Sequence, residues 1–351
     1  MRFNFPWDSY SDQPYILKKE TKKALRNGHT FDYLKLMGTN LIYFPYLFLK
    51  FLIGSILLNK KNNKNKTTMF YGLCVNFDKG KEQYELIKEL GVKSLQIRVF
   101  LNDIENIDKY VTFAKKFGED KEILITIIQS REHIENHKLL AKDVTTIFKK
   151  FRKITNEFMI GNAINRIKWG FVSMEEYLEF YKVVQNVRDR YFRDIKLIGS
   201  SVIDFEYHFT IRTLFNHYPI FYDKVASLLY VDRRGSPHST QMGIFDLKKK
   251  IEFLDTIVKS SSKCNNYIYI TETNWPLSGT APYAPTSEKE CIDEELYAKY
   301  MLEYFEIVLK TQKIEKVFWH QLIAPGYGLV DNRDGKIRKT KAFYAFKEMV
   351  K

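Results

Sequence analysis

Residues 267–276, YIYITETNWP, set one carboxylate, Glu272, at the end of an apolar β-rich run, three residues before Trp275. A second run, FMIGNAINRIKWGF at 158–171, loses its apolar character at Gly161 and Asn162 and continues through Ala163 and Ile164. Asn165, Arg166, Lys168 and Trp169 follow as a cationic, aromatic lip, a grouping able to hold a carboxylate or phosphate or to stand simply as a solvated loop. A third run, VFWHQL at 317–322, carries Trp319, His320 and Gln321; the histidine is either a proton-transferring or ligand-contacting group or a packed strand residue. Arg233 and Arg234, in VDRRGSPHS, read as exposed charge rather than as a second anion clamp.

Such side chains can act together only if the fold brings distant segments to one place. From residue 69 onward, short β-rich runs alternate with longer segments of helical period. The pattern predicts strands over Phe70–Asn76, Ser94–Phe100, Ile123–Gln129, Phe158–Asn162, Lys196–Ser200, Ser227–Val231, Tyr267–Thr273 and Val317–Leu322. Helices are expected over roughly 80–91, 104–117, 134–152, 174–191, 207–217, 244–260, 288–310 and 339–350. Eight uninterrupted β-then-α units predict an α/β fold, a (β/α)8 TIM barrel over 69–351. A doubly wound open sheet is the competitor, but no G-x-G-x-x-G follows the first strand and no P-loop occurs. Barrel chemistry lies at the C-terminal strand ends. Asn76, Arg98, Gln129, Asn162, Asn165, Ser201, Asp204, Tyr230, Asp232, Glu272, Asn274, Trp275, His320 and Gln321 fall there.

With these residues in place, the chain resembles the retaining glycoside hydrolases built on (β/α)8 barrels, whose catalytic glutamates follow strands four and seven. YIYITETNWP is similar to the family's nucleophile strand, and VFWHQLIAPGYGLVD with KTKAFYAF is similar to its closing segment. The resemblance covers about 69–351. It implies Glu272 as nucleophile, Arg98 beside it, and Tyr230 hydrogen-bonded to it; the two neighbours would favour the ionised carboxyl. It also implies sugar contacts from Trp275 and Trp319, whose indole faces suit C–H edges. The alternative for Glu272 is a structural carboxylate paired with Arg98.

Retaining chemistry needs two carboxyl groups about 5–5.5 Å apart, one attacking and one protonating the departing oxygen. On strand four the family pattern is Asn-Glu-Pro; here Asn162 matches the asparagine, Ala163 the acid and Ile164 the proline. An alanine cannot transfer a proton. Three explanations stand: an engineered removal of the acid, a natural pseudoenzyme that binds glycan without cleaving it, or an unusual hydrolase or transferase. In the last, the proton would come from His320, Asp204, Asp232 or a carboxylate of the substrate. Glu157 precedes the strand, at the wrong end of the barrel.

The 351 residues are 45% hydrophobic, with 27 Phe and 23 Tyr, which excludes a disordered chain. Three scattered cysteines support neither a zinc site nor a disulfide framework, and no metal or other cofactor is expected. Of the net charge of +14, +8 lies in residues 1–66, a basic N-terminal extension. It encloses an apolar segment at 41–58, LIYFPYLFLKFLIGSILL, interrupted by Pro45, Lys50 and Gly54. Its length is near the lower limit for a membrane span, and basic residues flank both sides, which suits an interfacial or re-entrant anchor. The alternative is a helix packed on the barrel exterior. The expected partners are a glycan or glycolipid, a membrane surface contacted through 1–66, and a protein partner subunit. Nucleic acid is not expected, since the barrel has no concentrated basic run. Together these features predict a glycosidase-like protein on the bacterial inner membrane, peripheral or monotopic, with its barrel on the cytoplasmic face. It would act on or bind an anionic envelope glycan such as lipopolysaccharide, or serve as an inactive glycan-binding or partner subunit of a membrane-bound complex.

Overall fold

The structure, a computed structural model, describes residues 5–57 and 69–351. Eight parallel strands close into a barrel: β1 Tyr71–Val75, β2 Ser94–Phe100, β3 Glu122–Ile128, β4 Glu157–Ile160, β5 Lys196–Ile203, β6 Lys224–Leu228, β7 Ile268–Ile270 and β8 Lys316–Trp319. They pair in chain order, and β8 closes against β1. Helices follow the strands, including Met174–Tyr191, Tyr207–Leu214, Leu247–Lys259 and Glu294–Thr311.

Alternation of side chains along each strand sorts the barrel into two cores. Cys74, Leu124, Met159, Ile198, Ala226, Tyr269 and Phe318 fill the interior. Ile97, Ile125, Phe158, Leu197, Val225, Ile270 and Val317 face outward into the shell between strands and helices. Gly72 makes room for the interior ring of Phe318: a Cβ there would lie 2.4 Å from it.

The sixth strand begins at Lys224, three residues earlier than its expected start at Ser227. Lys224 is accommodated at the barrel floor, where its Nζ lies 2.8 Å from both Glu157 and Glu315 carboxylates. Glu157 opens β4 and thus sits at the floor, far from the rim. Other predicted strands ran past the ladder ends at Asn76, Gln129, Asn162 and Thr273, where the chain turns onto the rim.

The N-terminal extension packs against the barrel. A short hairpin pairs Trp7–Asp8 with Gln13–Pro14. Two helices follow, α1 Lys19–Arg26 and α2 Thr30–Leu57. One face of α2 lies along the barrel wall: Leu47 and Phe51 are buried, and Phe51 packs 5.8 Å from Phe245 and 5.4 Å from Phe253. Tyr33 Oη donates to the Val172 carbonyl at 2.7 Å, Asn40 Nδ2 to the His208 carbonyl at 2.9 Å, and Lys50 Nζ to Ser260 Oγ at 2.9 Å. The outward face carries Phe31, Leu34, Met37, Leu41, Ile42 and Leu49, all exposed. The packed-helix alternative therefore describes one face of the segment and leaves the other apolar and open. Residue 58 and the lysines at 60, 61, 64 and 66 lie outside the described residues.

Candidate active site

Glu272 emerges two residues beyond the end of β7 and is partly exposed at the C-terminal rim. Tyr230, just past β6, donates its hydroxyl to Glu272 Oε1 at 2.7 Å. Burial pushes the Tyr230 phenol well up, and the Glu272 charge pushes it further, so it remains a donor. The Arg234 guanidinium sits 3.7 Å over the Tyr230 ring, so this arginine is packed on the site rather than exposed as its sequence context suggested.

Arg98 projects inward from β2 and is 4% exposed. Its Nε donates to Asn76 Oδ1 at 3.0 Å, and its Nη2 pairs with the carboxylate of Asp12 from the N-terminal hairpin. Burial disfavours the Arg98 charge, but Asp12 leads a set of neighbours that includes Tyr327, Asp78 and Glu272, and the net shift is upward. The ion-pair partner of Arg98 is thus Asp12, not Glu272.

His320 continues the inward alternation of Phe318 and lies on the rim, its ring stacked 5.7 Å from that of Tyr327. Burial, with Arg98 and Lys79 nearby, lowers it to about 4 despite the opposing pull of Glu272 and Asp12; it is neutral at pH 7. Burial lowers Lys168 to about 8, partly offset by Glu272, and its Nζ donates to Gln13 Oε1 at 2.6 Å.

At the end of β4, Gln129 brackets the Asn162 backbone, donating to its carbonyl at 2.8 Å and accepting from its N–H at 2.9 Å. The Asn162 side-chain Nδ2 is buried without a hydrogen-bond partner among the described residues. Ala163 has φ +46° and is 0% exposed, packed with Leu228 and Tyr230.

Four further sequence expectations change. Trp275 and Trp319 present no free face: both are fully buried, with ring centroids 5.9 Å apart. Trp275 Nε1 donates to the Gly235 carbonyl at 2.9 Å, and Trp319 Nε1 to Tyr297 Oη at 2.8 Å. The strand period explains Trp319, since the residue after inward Phe318 must point into the helical shell. Arg166 is no open clamp, because its guanidinium lies 2.6 Å from Asp204 and 2.7 Å from Glu206. Asn165 is also committed: Nδ2 donates to the Ile203 carbonyl at 3.0 Å and to Glu206 at 2.7 Å, while Oδ1 accepts from Ile203 N at 2.9 Å. Together they staple the loop after β4 to the loop after β5.

Aromatic surface is found elsewhere. A cavity of about 490 Å³ beside the rim is lined by Trp7, Phe100, Gln129, Lys168 and Trp169, with Glu272 outside its lining. The roles of Asp12, Lys79, Tyr327 and the hairpin were missed in the sequence. DSYSDQPY reads as a polar lead to an anchor, and no local period marks it as part of a barrel rim.

No protein-family model matches the sequence, and no curated protein matches it significantly. Among solved structures, β-glucosidase from Thermotoga maritima in complex with glucoimidazole aligns with TM-score 0.61 at 14% identity, covering 82% of this chain and 98% of that one. The virulence factor SghA from Agrobacterium tumefaciens aligns with TM-score 0.57 at 9% identity over 81% of this chain and 97% of that one. A GH39 β-xylosidase from Caulobacter crescentus aligns with TM-score 0.56 at 11% identity over 83% of this chain and 73% of that one. These likenesses show the fold, a closed (β/α)8 barrel of the kind these enzymes have.

Proposed function

We propose that this chain is a glycoside hydrolase-like protein that acts on or binds an anionic bacterial envelope glycan, with Glu272 in the nucleophile role and no standard acid/base. The observation that carries the reading is the rim pair: a partly exposed carboxylate receiving the hydroxyl of buried Tyr230 at 2.7 Å. Neighbouring Arg98, His320 and Lys168 all feel the Glu272 charge. The unpartnered Asn162 Nδ2 and the aromatic cavity supply a polar donor and apolar faces, the usual composition of a small-ligand site. Anionic specificity is supported by Lys168 at the rim; Arg166 is ion-paired with Asp204 and Glu206, and Arg98 with Asp12.

Proton donation is the weak point of this site as a hydrolase. Asp12 and Asp204 are paired with arginines, and His320 is neutral at pH 7. None of these three stands in for a protonated carboxyl. Asp232 and a carboxylate of the substrate remain as proton sources; without either, attack by Glu272 suits a substrate whose leaving group departs unprotonated, since loss of general acid catalysis alone costs about 10²–10⁴-fold. A second reading, an inactive glycan-binding or partner subunit of a membrane-bound complex, is favoured by the same buried alanine.

The two readings separate with 2-fluoro glycosides bearing activated leaving groups, prepared on acidic and neutral sugars. The hydrolase reading expects a covalent adduct on Glu272 by intact mass, absent in Glu272→Gln. If a glycan binds yet no sugar labels Glu272, and Glu272→Gln leaves its affinity unchanged, the chain is a binding module.

The reading places the protein at the inner membrane, barrel on the cytoplasmic side, resting on the surface through α2. Helix Thr30–Gly54 is long and apolar enough to cross a bilayer. Its barrel contacts, however, run from Tyr33 to Lys50, a rise of about 26 Å at 1.5 Å per residue. A span of about 30 Å of hydrocarbon would collide with that wall, so the geometry favours a helix lying in the interface.

A further inference from the structure

The rim holds a carboxylate that no barrel strand supplies. Asp12 is buried, with φ +56°, and its side chain reaches the floor of the mouth. There it pairs with Arg98, lies 3.7 Å from Lys79 Nζ and accepts a hydrogen bond from Gln321 Nε2 at 3.1 Å. Arg98 and Gln321 are almost wholly buried, and Asn76 bonds to both. Arg98, Lys79 and Gln321 come from β2 and from the segments just after β1 and β8, so the cradle is built by the barrel and only its occupant is borrowed.

The occupant's segment is held to the rim by side-chain contacts and not by a barrel strand. The hairpin strands are two residues each, a size with little stability of its own. Edge contacts of Trp7 with Phe100 and Trp169, and of Tyr10 with Tyr283, hold it over the mouth. Tyr327 Oη donates to the Ser11 carbonyl at 3.2 Å, and Gln13 Nε2 donates to the Pro285 carbonyl at 3.2 Å. Trp7 and Tyr10 themselves remain exposed. A guanidinium buried as deeply as Arg98 requires a counter-charge, since removing its partner leaves an uncompensated ion. The requirement is for a carboxylate at that spot, and it does not specify whose.

We infer that Arg98, Lys79 and Gln321 form a subsite for the carboxylate of an acidic sugar, and that Asp12 fills it as an internal ligand which the sugar displaces together with the hairpin. The sugar identity rests on the proposed function; the anion exchange does not require Glu272 to react. Because Asp12 competes, only the hairpin-open fraction of the wild-type chain binds, and apparent affinity falls by that fraction.

The test uses the full chain and D-glucuronate, with D-glucose and inorganic phosphate as comparison probes, by isothermal titration. Asp12→Ala is expected to bind glucuronate at least about tenfold more tightly than wild type, with no gain for glucose. Adding Arg98→Gln to Asp12→Ala should remove the gain. Should Asp12→Ala fail to fold, Asp12→Asn keeps the side-chain shape without the charge and should show the same ordering. In wild type, saturating glucuronate should raise amide exchange in residues 7–14. Glucuronate affinity unchanged in both Asp12 variants, or an equal gain for glucose, overturns the proposal; tighter phosphate than glucuronate overturns the carboxylate assignment. Glucuronate gain with no Glu272 labelling and with affinity unchanged by Glu272→Gln leaves this subsite standing and removes the hydrolase reading, so the two failures are distinguishable.

Discussion

The interfacial role of α2 can be tested face by face. Leu41, Ile42 and Leu49 are 75%, 70% and 58% exposed and share the outward face of the helix. Full burial of such a side chain contributes about 1.5–3 kcal/mol, so at roughly two-thirds exposure each offers about 1–2 kcal/mol to a lipid interface. Replacing all three with glutamate should therefore cost at least about 3–6 kcal/mol of membrane affinity, two to four orders of magnitude in partitioning. The assay is flotation of purified full-length protein with liposomes containing anionic lipid. Leu47→Ala is the control: Leu47 is fully buried against the barrel, so truncation should lower folding stability by about 2–5 kcal/mol and leave flotation of the folded protein unchanged. Deleting residues 1–66 is a poorer experiment, because it would also strip Asp12 from Arg98 and uncover Phe245 and Phe253. If the triple variant floats as well as wild type, the outward face of α2 is not what meets the membrane.

Two further outcomes are expected. Lowering His320 from 6.5 to about 4 means the unfolded chain binds its proton first, so stability present above pH 6.5 is lost as pH falls toward 4, by up to about 3 kcal/mol. Chemical denaturation from pH 7 to 4.5 should show that slope in wild type and a flatter one in His320→Gln; identical slopes would mean that His320 is not buried neutral. Trp275→Ala removes a fully buried indole stacked on Trp319 and should lower stability by about 3–5 kcal/mol in urea melts; a change below about 1 kcal/mol would mean that the indole is not core.

Much of the barrel is legible in local pattern. Short apolar, β-rich runs mark strands and amphipathic segments mark helices regardless of what they touch, so the eight units and the position of Glu272 beyond strand seven follow from the sequence. That residues 158–165 contain no acid is equally plain. The start of the sixth strand is less legible: Lys224 opens it, and its charge is met only by Glu157 and Glu315 at the floor ends of other strands.

Other features depend on contacts between segments far apart in the chain. Trp319 looks like a ligand platform in the sequence and becomes core because inward Phe318 precedes it and the Glu294–Thr311 helix covers it. Arg166 looks like an open cation and is neutralised by Asp204 and Glu206 across the neighbouring loop. Asp12 reaches Arg98 over 86 positions and Gln321 over 309, distances at which hydrophobic period carries no information. The apolar content of α2 was determined by its residues alone. Which of its faces meets the barrel and which remains open was decided by the wall that Phe245 and Phe253 build only when the barrel has closed.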